Sequence, residues 1–223
     1  MNQTGVDGKA FQFDGVNDEV SIVDFDHGPD LTISFRFKTS STGNNMYLYS
    51  HGDSTATNSI NILLNNSDQT LKTFINGQQT ILNLNGTLYP TLINNERHLY
   101  TLTIDDDGEI PGKKKATVYI DGIAKISNSS IDAGTYNPIN NITIARRSAN
   151  QTNTFYKGLM DDVRIYNKTL TSSQVYNLYA EFKDTIPPTA YVIYTPESGT
   201  CYNGDIIATL TGYSENITIT NNG

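Results

Sequence analysis

Leu31-Thr32-Ile33-Ser34-Phe35-Arg36-Phe37-Lys38 alternates apolar and polar side chains without a break. Strict period-2 alternation fits a strand with one buried face, whereas helical neighbours on one face recur every three or four residues. Leu31, Ile33, Phe35 and Phe37 fall on one side; Thr32, Ser34, Arg36 and Lys38 fall on the other. Shorter runs of the same texture recur at 9–13, 20–22, 46–49, 59–64, 71–75, 98–104, 117–120, 123–126 and 142–145. Asn76-Gly77 and Asp121-Gly122 lie between such runs and suit the positive φ angles of a two-residue hairpin turn. The expected fold class is all-β.

One short helix is expected near residue 175. Thr171-Ser172-Ser173-Gln174 is a capping box, and Val175, Leu178 and Tyr179 share one helical face. Beyond it, Asp184-Thr185-Ile186-Pro187-Pro188 reads as a linker, because paired prolines cannot join a helix or a central strand. Three short strands follow, at 191–194, 206–210 and 217–219, too few for an independent core. The expected organisation is a main domain over 1–183, then a linker and partial β-sandwich module over 184–223.

A formal net charge of −8 argues against nucleic acid or an anionic membrane as partner, and an acidic surface attracts divalent cations. Cys201 is the single cysteine, so no intrachain disulfide can form, which leans towards a bacterial source. Met1-Asn2-Gln3-Thr4 opens with neither a basic nor an apolar signal region, and reads as part of a longer chain whose targeting signal lies upstream. No apolar run reaches the roughly 18 residues of a membrane helix.

Gly158-Leu159-Met160-Asp161-Asp162-Val163-Arg164-Ile165-Tyr166 reads as the closing strand of the main domain. Its adjacent carboxylates repel unless something neutralises them. Four stretches carry a resemblance in order: residues 10–18, 31–35, 118–122 and 158–166. Together they resemble the bacterial laminin-G-like, concanavalin A-like jelly-roll family over roughly residues 5–182. The chain from Pro187 resembles the first strands of a bacterial Ig-like repeat. The resemblance implies a two-sheet antiparallel jelly-roll sandwich with a concave face, borne on secreted or cell-surface proteins. It further implies a domain that binds, commonly a glycan, and does not catalyse. Arg36 departs from the pattern, standing where the family strand often carries Trp.

Calcium is the expected cofactor, in a structural role. Ca²⁺ takes six to eight oxygens, and Asp14, Asn17 and Asp18 cluster in a turn whose carbonyls can also face inward. The first and last strands of such a sandwich are often neighbours, which would bring Asp161 and Asp162 towards that turn. The resemblance gives Asp161 the position that commonly ligates calcium. The alternative is an Asx turn at Asp14, with Asp161 or Asp162 paired to Arg164 or Arg147. Asp105-Asp106-Asp107-Gly108-Glu109 is read as a solvated hairpin loop screened by Lys113, Lys114 and Lys115, not as a cation loop.

Sugar faces stack on aromatic rings while hydroxyls bond planar amides and charged groups. With Trp absent, the candidate ligand-binding pool is Tyr47, Tyr49, Tyr100, Tyr136 and Tyr156 with Arg146, Arg147 and Asn150. The alternative for each tyrosine is a ring that covers the core with its hydroxyl in water. Catalysis has little support: the glutamates are scattered, without the Glu-x-Asp-x-x-Glu strand of concanavalin A-like glucanases, and no His-Glu-x-x-His or Gly-x-Ser-x-Gly occurs. The expected function is a non-catalytic binding module of a bacterial secreted or cell-surface protein, recognising carbohydrate or another surface, beside neighbouring domains of a larger chain. The alternative is a structural spacer of a repetitive adhesin; a glycoside hydrolase or polysaccharide lyase ranks last.

Overall fold

A computed structural model describes residues 3–4, 9–25, 28–43, 45–52, 59–76, 80–85, 87–132, 141–148, 153–181, 191–195 and 207–211. The chain forms two compact units, Met1–Phe182 and Lys183–Gly223. The first unit begins with β1 (Gln3–Thr4), β2 (Lys9–Asp14), β3 (Val20–Ile22), β4 (Leu31–Lys38), β5 (Met46–His51), β6 (Ile60–Asn65), β7 (Thr70–Ile75) and β8 (Thr80–Leu84). It continues with α1 (Leu88–Leu92), β9 (His98–Asp105), β10 (Lys113–Ile120), β11 (Ile123–Asp132), β12 (Ile142–Ile144), β13 (Lys157–Tyr166) and α2 (Ser172–Ala180).

Two antiparallel sheets result. One has seven strands in the order β1-β2-β13-β4-β9-β10-β11, the other six in the order β3-β12-β5-β6-β7-β8. Their apolar faces meet in one core: Ile33, Phe35 and Phe37 of β4 pack with Leu48, Ile60, Ile62, Leu71, Leu102 and Val118, all buried. This is the concanavalin A-like jelly-roll sandwich. In the second unit, β14 (Tyr191–Thr195) and β15 (Ile207–Thr211) pair antiparallel. The expected linker, the strand expected at 217–219 and Cys201 lie outside the described residues.

The outward face of β4 is buried too. Thr32 Oγ1 donates to the Lys168 carbonyl and accepts from Leu170 N–H, and Ser34 pairs with Thr101. The segment after β13 crosses this face, and α2 is held on it by Leu170 and Val175, which pack with Tyr119. The capping box forms at Thr171 and Gln174 as expected. The Asp121-Gly122 turn has φ of +52° and +75°, and a Cβ on Gly122 would come within 3.0 Å of Tyr179 Cβ. A side chain there would push α2 off the β10–β11 turn. Asn76 also has positive φ, +54°, while Gly77 lies outside the described residues.

Three elements exceed the sequence expectation, the first being the two-residue strand β1 at the edge of the seven-stranded sheet. β8 adds an edge strand to the six-stranded sheet, and α1 is a five-residue turn of helix anchored by buried Tyr89 and Leu92. The closing strand also breaks its alternation. Asp161 pairs with Arg36 and Arg164 with Ser34, so Asp162 and Val163 together face Phe35. That is a β-bulge, with Asp162 at φ +51°. Val163, on the core-facing side opposite Phe35, lines an apolar groove with Phe13, Ile144, Met160 and Ile165 and is 36% exposed.

Candidate functional site

The expected calcium ligands do not converge. Asp14 stands opposite Lys157 in the β2–β13 ladder, and Asp161 lies four residues further along β13, about 13 Å away. Asp14 Oδ1 accepts from Val16 N–H at 2.7 Å, and Asp18 Oδ2 accepts from Asp14 N–H at 3.0 Å, closing the turn on itself. Asn17 lies exposed in that turn. Asp161 Oδ1 accepts from Asp162 N–H at 2.9 Å. Asp162 Oδ1 accepts from Arg164 Nε at 2.6 Å, and its other oxygen lies 3.7 Å from Arg36 Nε. Burial pushes the Asp162 carboxyl above its ordinary range, against the pull of the two arginines. Among the described residues no group of three His, Cys, Asp or Glu side chains could hold a metal. The residues present do not fit an ion shared by the two ends; the Asx turn and arginine pairing account for the carboxylates.

The tyrosine pool divides by burial. Tyr49, Tyr100 and Tyr156 are at most 1% exposed and belong to the core, where no sugar reaches them. Burial pushes all three phenols well above their ordinary range. Tyr100 stacks on Phe35 at 5.0 Å and shares a hydrogen bond with Thr73. Tyr47 is 7% exposed on the outward face of the six-stranded sheet, with the Arg147 guanidinium 5.9 Å from its ring centre. Arg146 lies over Phe155 and pairs with Glu19. Tyr136 and Asn150 lie outside the described residues. In the acidic loop, Asp106 pairs with Lys114 and Glu109 with Lys115, as a screened hairpin should.

A different set of residues converges on a cleft of about 680 Å³ at one end of the seven-stranded sheet. Adjacent strands β2, β13 and β4 supply its floor through their register: Gln12, Leu159 and Lys38 form one row, with Asp14 and Lys157 in the next. Alternation sends all five side chains outward, because Phe13, Phe37 and Met160 between them enter the core. Thr39, Ser40 and Ser41, following β4, and Asn95 build the opposite rim.

This floor is rigid for reasons visible in the residues. Gly158 has φ +154°, and a Cβ on it would lie 2.3 Å from the Lys38 carbonyl oxygen and 2.5 Å from the Tyr156 hydroxyl. Its bare Cα lets that hydroxyl bridge β13 to β4. Tyr156 Oη lies 2.8 Å from the Lys38 carbonyl and 3.0 Å from that of Leu159, and accepts from Lys38 N–H at 3.2 Å. Thr39 Oγ1 donates to the Lys157 carbonyl at 2.7 Å and accepts from Ser41 N–H at 3.0 Å. Asn95, at φ +66°, donates its N–H to the Thr39 carbonyl at 3.0 Å. Backbone groups and the two buried hydroxyls hold the frame, so the hydroxyls of Ser40 and Ser41, the Asn95 amide and the lysine ammoniums can face a ligand.

Sequence reasoning singled out Asp14 and Gly158 but assigned them elsewhere, and missed Gln12, Lys38, Ser40, Ser41, Asn95 and Lys157. The local signals were the polar run Thr39-Ser40-Ser41-Thr42 after the clearest strand and a glycine opening the closing strand.

The family model described as the concanavalin A-like lectin/glucanases superfamily matches residues 13–176. No curated protein matches the sequence. The structure is similar to CBM40 of the Ruminococcus gnavus IT-sialidase, with TM-score 0.56 and 11% identity over 76% of this chain and 96% of that one. It is similar to domain 4 of AbnA, an extracellular arabinanase from Geobacillus stearothermophilus solved with arabinotriose, with TM-score 0.55 and 18% identity over 80% of each chain. The binding domain of Paraclostridial Mosquitocidal Protein 1 gives TM-score 0.61 and 17% identity, over 82% of this chain and 46% of that one. Identities this low establish a common fold.

Proposed function

This chain belongs to the concanavalin A-like lectin/glucanases superfamily, and on that premise we propose that it is a non-catalytic carbohydrate-binding module of a bacterial secreted or cell-surface protein. Its binding site is the cleft floored by β2, β13 and β4. The observation that carries this reading is the convergence of amide, hydroxyl, ammonium and carboxylate groups on a frame locked by Tyr156 and Thr39. Saccharide hydroxyls both donate and accept, and a rim of Gln12, Ser40, Ser41, Asn95 and Asp14 meets both needs. A cleft of about 680 Å³ lies within the range of small-ligand sites and suits a short oligosaccharide. AbnA domain 4, of the same fold, was solved with arabinotriose, which lends support.

Asp14 is the one carboxylate lining the cleft among the described residues. Glycoside hydrolysis uses two carboxyl groups flanking the scissile bond, so binding without turnover is the reading that fits. A broad glycan array tests it. The module should retain at least one saccharide class, and Asn95→Ala or Gln12→Ala should weaken that signal. No binding to any printed glycan would contradict it and favour a spacer role.

A further inference from the structure

Acidic side chains outnumber basic ones 23 to 15 in this chain, and three lysine ammoniums of the described fold have a carboxylate partner. Lys72 pairs with Asp68, Lys114 with Asp106 and Lys115 with Glu109. Lys38, Lys125, Lys157 and Lys168 make no ion pair among the described residues. Two of these four, Lys38 and Lys157, line the same cleft.

Their convergence is built in by the fold. Lys38 stands opposite Leu159, and Lys157 lies two residues before Leu159 on the same face, so the lysines are diagonal neighbours with Cβ atoms about 7 Å apart. Like charges so close repel, and Asp14, opposite Lys157, is the one carboxylate lining the cleft among the described residues. The stem of Lys157 rests on the β2 turn, where a Cβ on Gly15 would come within 2.8 Å of Lys157 Cβ. The carboxylate nearest in register, Asp14, has one oxygen engaged by Val16 N–H, leaving the other for a ligand hydroxyl.

We propose that the ligand of this cleft is an acidic saccharide, a polyhydroxyl ring bearing a carboxylate or sulfate that lies between Lys38 and Lys157. The inference rests on the carbohydrate-binding reading and narrows it to one charge class. The hydroxyl and amide rim of Ser40, Ser41 and Asn95 engages the ring, and the ammoniums engage its charge. A small inorganic anion would leave that rim unused.

The test prints each acidic oligosaccharide beside its uncharged counterpart: the methyl ester for a carboxylate, the desulfated sugar for a sulfate. The best pair is then measured by calorimetry on the whole chain. The acidic member should bind about tenfold or more tighter, the worth of one charge-assisted hydrogen bond, with a preference that fades as salt rises. Lys38→Gln and Lys157→Gln should each lower acidic binding towards the uncharged level, with melting temperatures unchanged. The double variant Lys125→Gln/Lys168→Gln, outside the cleft, should keep the preference. Equal binding of both members, or a preference that survives Lys38→Gln and Lys157→Gln, would overturn the inference while leaving carbohydrate binding intact. A chain that binds neither member of any pair would overturn both.

Discussion

Arg36 Nη2 donates a 2.6 Å hydrogen bond to the carbonyl of Leu178, fastening the C-terminal end of α2 to the outward face of β4. Cationic charge at a helix C-terminus answers the exposed carbonyls and the negative end of the helix dipole. The same guanidinium lies 3.7 Å from Asp162, which the β13 bulge swings towards it. Burial lowers the Arg36 pKa from its ordinary value, partly offset by Asp162.

Arg36→Ala should therefore cost about 1–3 kcal/mol, because it strands the Leu178 carbonyl and leaves Asp162 with Arg164 alone. Urea denaturation would read this as a lower midpoint. Arg36→Lys should recover little, since an ammonium cannot reproduce the planar guanidinium fork. An unchanged midpoint for Arg36→Ala would show that α2 is held by apolar packing alone.

At the cleft floor, Gly158→Ala forces a Cβ against the Lys38 carbonyl and Tyr156 hydroxyl. The expected loss exceeds about 2 kcal/mol, with saccharide binding lost alongside. Tyr156→Phe keeps the ring and removes only the bridge between strands, for an expected cost of about 1–2 kcal/mol. A Gly158→Ala variant as stable as the parent would contradict the described floor.

Alkaline titration should be cooperative. Tyr89 is pushed up to about 12 by burial, and Tyr49, Tyr100 and Tyr156 higher still. A raised pKa in the folded state means that the stabilisation is fully present below the unfolded tyrosine value of about 10 and falls as pH rises from there. With the three core phenols still neutral in the fold, the loss is about 4 kcal/mol per pH unit above pH 10. Absorbance at the tyrosinate band should show these phenols ionising only as structure is lost. Smooth titration of all 14 tyrosines near pH 10 would contradict their burial.

Asp14 of β2 stands opposite Lys157, four residues along β13 from Asp161, so a chelator should leave the thermal midpoint unchanged and added calcium should not raise it. An ion bound only by the folded state stabilises by mass action. A rise of several degrees with calcium would contradict the closed Asp14–Asp18 turn.

Much of the sandwich was legible because its signals are local. Leu31–Lys38, the Asp121-Gly122 turn and the capping box at Thr171 each carry their instruction within a few residues. What failed to show was set by register. A shift in pairing between Tyr47 and Tyr49 puts Tyr49 in the core alongside Leu48, where plain alternation would have pointed it outward. The bulge at Asp162 likewise resets the alternation, so that Arg164 falls opposite Ser34 and Ile165 opposite Ile33. Arg36 read as an aromatic lost from a binding face, because nothing local announces that a helix 140 residues later will cover that face. The cleft gathers residues 12–14, 38–41, 95 and 157–159, neighbours only through strand pairing. Its local clues are the polar run after Lys38, which reads as any loop, and Gly158, which speaks of steric room and does not name a ligand.

The central claim, that a saccharide occupies the cleft on β2, β13 and β4, is tested most directly by amide NMR during titration with the tightest-binding array glycan. The account predicts saturable shifts concentrated at Ser40, Ser41, Asn95, Lys157 and Gly158, with Tyr47, Arg146 and Arg147 on the other sheet unmoved. Shifts centred on Tyr47, Arg146 and Arg147, with the cleft amides silent, would contradict it.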